Sequence, residues 1–147
     1  MQDKQKLYDF ILKQVNNPEL FHARNDIFIT EVEEGFAKGR MDDTGKTRNR
    51  HGTHHGGALT TMMDTLSGTV LASLGKKAVT VHDNVNYLHM AQGTIYGEAK
   101  IRKSGETICV CDTRLWNEEG KEVAVGIFSF FIIGELNIEE AMQEEKK

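Results

Sequence analysis

GGALTTMMDTLSGTVLASLG, residues 56–75, is the stretch on which the fold turns. Leu59, Met62, Met63, Leu66, Val70, Leu71 and Leu74 recur at helical spacing, and the remainder is mostly Ala, Ser, Thr and Gly. Asp64 is the only charge before Lys76. Threonine and glycine lower intrinsic helix propensity, so such a helix must be held by burial. A central helix is therefore expected from about Ala58 to Leu74, closed by Gly75 and wrapped by sheet.

Downstream the pattern changes to strands. Val79 to Leu88 is followed by Thr94 to Arg102, where Ile95, Gly97, Ala99 and Ile101 alternate with Tyr96, Glu98, Lys100 and Arg102. Turns at Ser104-Gly105 and Asn117-Glu118-Glu119-Gly120 separate two more strands, Thr107 to Trp116 and Val123 to Ile133. Such short turns predict an antiparallel meander. Upstream, Leu7, Phe10, Ile11 and Val15 form the stripe of an N-terminal helix over about residues 4–15, ended by Asn16-Asn17-Pro18. Ile27 to Asp43 reads as one long strand, with Gly35, Ala37, Gly39 and Met41 on one parity, small enough to admit another element closely. Residues 42–52 are polar and turn-like, hence a candidate functional loop. The acidic tail from Glu135 to Lys147 is weakly amphipathic and expected to fray. The fold class is α+β, one domain over residues 1–147 with its core at about 27–133: a curled antiparallel sheet around a helix.

The totals narrow the function. A chain of 147 residues fits one domain. No apolar run approaches the ~18 residues of a membrane span, and Met1 to Phe10 lacks the apolar core of a signal peptide. Cytoplasmic residence is the default expectation. A net charge of -4 without clustered Lys and Arg argues against nucleic acid or anionic membrane as partner. Cys109 and Cys111 are two apart on one strand, at the limit of disulfide reach, and are expected to be reduced wall or core residues.

Asp64 is the chemical anomaly. A lone carboxylate on a buried helix costs free energy unless it is bonded or used. The structural reading is an edge residue bonded to backbone; the functional one is a general base or nucleophile. Gly56 and Gly57 open the same helix, whose first N–H groups lack intrahelical partners and can polarise a substrate oxygen. His51, His54 and His55 have no cysteine or second ligand pair nearby, so no metal site is expected. Gly45-Lys46-Thr47 lacks the earlier glycine of a phosphate loop, and no Gly-x-Ser-x-Gly occurs.

The run Asn49-Arg50-His51-Gly52-Thr53-His54-His55-Gly56-Gly57, with Asp64 nine residues after His55, resembles the phenylacetate-pathway type of hotdog thioesterase, whose motif is N-x-x-G-x-x-H-G-G followed by a helical Asp. Val79-Thr80-Val81 through Asn86-Tyr87-Leu88, Gly93 and Arg102-Lys103-Ser104-Gly105 continue the likeness, which spans roughly residues 27–133. His89-Met90-Ala91 departs from it where many relatives have a proline. The resemblance implies an acyl-CoA thioesterase of the hotdog fold acting on aliphatic or aromatic acyl groups. It implies no cofactor apart from the coenzyme A of the substrate. The Gly56 N–H, helped by Asn49, would polarise the thioester carbonyl, and Asp64 would attack directly or activate water. His55 and Thr80 would orient substrate or water. From the sequence itself, Gly57 and Met63 are candidates to line the substrate slot, and Arg48, Arg50, Arg102 and Lys103 are candidate cations for the CoA phosphates, with solvated surface charge as their alternative reading.

Spacing adds a constraint of its own. Gly56 and Asp64 lie eight residues apart, roughly 12 Å along a helix, too far to serve one carbonyl from one chain. Two antiparallel copies of the helix would bring Asp64 of one beside Gly56 of the other. A homo-oligomer, a dimer or a dimer of dimers, with shared active sites is expected. A hotdog dehydratase on 3-hydroxyacyl thioesters, using His55 with Asp64, and an acyl-CoA-binding sensor are the alternatives.

Overall fold

The computed structural model describes residues 4–146. Helix α1 (Lys4–Val15) and a short α2 (Phe21–Arg24) precede the hairpin of β1 (Ile27–Glu33) and β2 (Phe36–Met41). Helix α3 (Gly56–Ser73) follows, then β3 (Lys76–Tyr87), β4 (Ile95–Ser104), β5 (Ile108–Trp116), β6 (Glu122–Glu135) and α4 (Ile138–Glu145). All strands join one antiparallel sheet in the order β1-β2-β4-β5-β6-β3.

Helix α3 lies on the inner face of this sheet, and glycines let it come close. A Cβ at Gly39 on β2 would stand 3.2 Å from Leu66 Cδ2; at Gly97 on β4, 2.9 Å from Leu66 Cδ1; at Gly126 on β6, 3.3 Å from Met63 Sδ. Gly39 and Gly97 are also register partners, so two strands thin out at one level. Leu59, Met62, Met63, Leu66, Val70 and Leu71 fill the space and are at most 3% exposed. The expected buried helix is therefore α3, and the small residues of β2 admit it.

Three expectations change. The long strand from Ile27 to Asp43 is a hairpin: Glu33 pairs with Phe36 across a turn at Glu34-Gly35. Gly35 has φ +74°, its N–H donates to Ser73 Oγ at 2.9 Å, and its carbonyl accepts from Ile101 N. The turn is thus tied both to the end of α3 and to β4. Next, only β4, β5 and β6 form a meander. β3 pairs with β6 at the far edge, because α3 carries the chain across the sheet before β3 begins. Finally, the acidic tail forms α4. Asn137 Oδ1 accepts from the backbone N–H groups of Glu139 and Glu140, Ile138 is buried, and Glu145 accepts from Gln14 at 2.9 Å. Cys109 and Cys111 are free thiols buried inside the sheet. Burial, with Cys109 and Asp112 nearby, pushes the Cys111 thiol up to about 12.

Candidate active site

The loop before α3 is a backbone scaffold held by its own side chains. Asn49 Oδ1 accepts from His51 N at 2.9 Å and Thr53 N at 3.2 Å, while its Nδ2 donates to Thr53 Oγ1 at 2.9 Å. One Nδ2 hydrogen has no partner among the described residues. Gly52, at φ +81°, supplies the left-handed step of this turn. His54 is buried, with Nδ1 2.7 Å from Thr47 Oγ1 and Nε2 2.7 Å from the Gly93 carbonyl. A carbonyl can only accept, so Nε2 carries the proton and Thr47 donates to Nδ1. Both ring nitrogens of His54 are thereby engaged in holding the loop.

His55 caps α3: its Nδ1 accepts from Gly57 N at 2.9 Å. Of the two glycines, Gly57 therefore has its N–H engaged, and Gly56 N–H has no partner among the described residues. That donor sits at the positive end of an 18-residue helix. Asn49, Gly56, Leu59, Tyr87, His89 and Met90 line a cavity of about 440 Å³ around it. Tyr87 closes the approach: its hydroxyl is 2.5 Å from Thr60 Oγ1, and a Cβ on Gly56 would stand 3.4 Å from its ring. Sequence reasoning does not single out Tyr87 as a site residue. The signal that could have singled it out is an aromatic residue seven positions beyond Thr80 on the same strand.

Asp64 lies elsewhere, two turns further along α3. Thr80 Oγ1 donates to its Oδ1 at 2.6 Å, and Oδ2 has no partner among the described residues. No cation there stands within ion-pair reach of Asp64. Asp64 and Thr80 line a second cavity, of about 420 Å³, bounded by α1, α3 and the inner face of β3 and β6. A carboxylate anchored through one oxygen, with the other open to an apolar cavity, can act as a base or a nucleophile.

The residues singled out from sequence thus fall into separate places. Asn49 and Gly56 share one cavity, Asp64 and Thr80 share another, and His55 and Gly57 border a third of about 340 Å³ with Lys46 and Arg48. Met63 borders none of these three cavities. It is fully buried against Gly126 with Met62 and Leu66 beside it in the core, because the residue next to Asp64 points about 100° away around the helix. Thr65, Gly68, Thr69 and Ala72 form the helical wall of the Asp64 cavity instead. Arg102 is already paired with Asp112 at 2.8 Å, and neither Arg102 nor the exposed Lys103 borders any of these three cavities.

A curled antiparallel sheet on one long central helix is the hotdog fold, and the relatives of this chain make it a thioester hydrolase. A family model described as Thioesterase superfamily matches residues 51–124, and the chain belongs to that superfamily. Acyl-coenzyme A thioesterase PaaI of Escherichia coli is 32% identical over 101 residues, 67% of this chain and 72% of that protein. Its solved structure superimposes with a TM-score of 0.78 over 88% of this chain and 98% of its own, at 26% identity. A hypothetical thioesterase of Streptococcus pneumoniae, solved with coenzyme A, gives 0.77 at 27% identity over 86% and 99%. A Streptococcus mutans protein bound to acetyl CoA gives 0.75 at 29% identity over 81% and 95%. No helix among the described residues is long and apolar enough to cross a membrane.

Proposed function

We propose that this protein hydrolyses acyl-CoA to free acid and CoA in an active site made by two subunits, each a single domain in the cytoplasm. The observation that carries the reading is Asp64, held by Thr80 at 2.6 Å with its second oxygen open to an apolar cavity. The Gly56 N–H and the unengaged Nδ2 hydrogen of Asn49 polarise the thioester carbonyl as the nucleophile adds. Collapse of the tetrahedral species expels the CoA thiolate, which takes up a proton. Asp64 either adds directly, giving an anhydride that water then opens, or takes a proton from the water that adds. The E. coli relative is named an acyl-coenzyme A thioesterase, and streptococcal relatives were solved with coenzyme A or acetyl CoA, which supports CoA as the carrier. Two further solved forms of the S. pneumoniae thioesterase carry alanine for an aspartate and for a threonine sixteen positions further on, the separation of Asp64 and Thr80 here. Arg50 and Lys103 are the proposed cations for the CoA phosphates, with Arg48 on leaving Asp43 and Arg102 on leaving Asp112. The dehydratase alternative is disfavoured because His55 Nδ1 is engaged with Gly57 N.

The proposed pairing of subunits is supported by β3. It is an edge strand of 12 residues whose described side chains are mostly exposed, Val79, Val81 and Tyr87 among them. A long edge strand whose outer backbone groups are unpaired is a template for a second strand. Two β3 strands related by a twofold axis at Asn84 would set Asp83 opposite Val85 of the partner subunit and His82 opposite Asn86 of the partner subunit. Val81 is the extra residue of a bulge, since Thr80 and His82 face the consecutive residues Phe130 and Ser129. Skipping it, Thr80 falls opposite Tyr87 of the partner subunit, on the same face of the sheet. Thr80 holds Asp64 and Tyr87 lies against Gly56, so the carboxylate of one chain would meet the free N–H of the other.

Asp64→Asn keeps shape and removes base and nucleophile; thiol release is expected to fall at least ~10²-fold in a folded protein. Asn49→Ala is expected to lose on the order of 10²-fold in kcat. Refolding Asn49→Ala and Asp64→Ala chains together restores one intact site in each mixed dimer, about a quarter of wild-type activity. Near-wild-type turnover by folded Asp64→Asn would remove Asp64 from the mechanism. Absence of recovery despite subunit exchange would overturn the shared site.

A further inference from the structure

Glycine is a poor residue for the middle of a helix, yet Gly68 stands there in α3. At Gly39, Gly97 and Gly126 a Cβ would collide with neighbouring atoms; at Gly68 it would meet no atom within 4 Å. Packing therefore does not account for Gly68. What lies over it is the cavity that opens at Asp64. The helical wall of that cavity runs from Asp64 to Ala72, and Gly68 is midway. Phe10 and Ile11 of α1 border the same space. Leu136 marks its far end, since its N–H donates to the carbonyl of Gly75 just past α3.

Beyond Asp64, the threonine hydroxyls along this wall are already engaged. Thr65 Oγ1 donates to the Thr61 carbonyl at 2.8 Å, and Thr69 Oγ1 to the Thr65 carbonyl at 2.7 Å. His22, which also borders the space, has Nε2 2.5 Å from the Val15 carbonyl. A cavity of about 420 Å³ is within the size range of small-molecule sites. Eight helical residues span about 12 Å, the reach of an extended hydrocarbon chain of roughly eight to ten carbons.

Resting on the assignment of Asp64 as the attacking carboxylate, we infer that this space takes the acyl chain, that the preferred substrates are straight medium-chain acyl-CoAs, and that the bare Gly68 sets the length accepted. The chain enters past Asp64, crosses Gly68 and stops near Leu136, with α1 as the opposite wall. Gly68 is a specificity residue, without a part in bond making.

The test is a panel of straight-chain acyl-CoAs from acetyl to palmitoyl, with phenylacetyl-CoA beside them, on wild type, Gly68→Met and Gly68→Ala. For wild type, kcat/KM is expected to peak at eight to ten carbons. Gly68→Met is expected to lower kcat/KM for that range at least ~10-fold through KM, while acetyl- and butyryl-CoA stay within about threefold. Gly68→Ala, which adds one methyl in open space, should fold at least as well and move the optimum shorter by one or two carbons. If Gly68→Met does not fold, Gly68→Ala decides. An unchanged length profile, a uniform loss at every length, or a wild-type optimum at acetyl, palmitoyl or phenylacetyl overturns the inference. These outcomes are separate from the Asp64→Asn result, because loss of the carboxylate removes turnover at all lengths alike.

Discussion

The two edges of the sheet are finished differently. β1 is covered: α1 and α2 pack against it, and Leu7, Phe10 and Ile11 are buried there. Its exposed backbone is also answered by a side chain. Asn16 Nδ2 donates to the Ile29 carbonyl at 2.8 Å, and Asn16 Oδ1 accepts from Ile29 N at 2.9 Å, so one amide imitates a neighbouring strand where β1 bulges. Among the described residues, neither helix nor amide covers the outer side of β3, although it is the longer strand and carries exposed valines. The second edge, left bare, is the one that the proposed pairing of subunits would use. The donor end of the site, at Gly56, and the carboxylate end, at Asp64, both abut β3 through Tyr87 and Thr80.

The contrast can be broken most severely at β3. Along an edge strand alternate N–H groups point away from the sheet, so one of Asp83→Pro and Asn84→Pro leaves the ladder to β6 intact. That variant is expected to fold, to sediment as a ~16.5 kDa monomer, and to lose at least ~10²-fold in thioester hydrolysis. A fully active monomer would defeat the proposed pairing. A smaller effect is expected at the covered edge. Asn16→Ala leaves both polar groups of Ile29 without their partner, which should cost about 1–3 kcal/mol in denaturant unfolding without altering the oligomer. If Asn16→Ala instead changed subunit association, β1 would not be the sealed edge described here.

The smallest effect at neutral pH concerns β5, which lies between the edges. The Cys111 thiol ionises only at about 12 in the folded chain against an ordinary 9.0. Above pH 9 the unfolded chain gives up that proton and the native chain keeps it. Stability is thus intact below pH 9 and declines as pH rises toward 12, by about 1.4 kcal/mol per pH unit. Cys111→Ala is expected to flatten this part of the unfolding curve while costing stability at pH 7 through the space it leaves. Equal slopes in the two proteins would place Cys111 in contact with water.

Sequence alone determined the buried helix, because an uncharged stretch of weak helix formers has only burial to hold it. It also determined that Asp64 and Gly56 are too far apart to serve one carbonyl, because helical rise converts spacing into length without further information. The strands from Ile95 to Glu135 were legible for a similar reason, local alternation and local turns. Tertiary structure decided the rest. The two-residue turn at Gly35 was hidden because its partners, Ser73 and Ile101, are remote in sequence. Which glycines serve packing and which leave space was equally invisible: a Cβ at Gly97 would meet Leu115, Leu66 and Met62, and one at Gly68 would meet nothing within 4 Å among the described residues. The occupation of Gly57 N–H by His55, and of His54 by Thr47 and Gly93, likewise depends on directions that spacing does not contain. The placing of β3 beside β6 was decided in the same way, since strand order depends on where a helix carries the chain, and that is set by packing across the sheet.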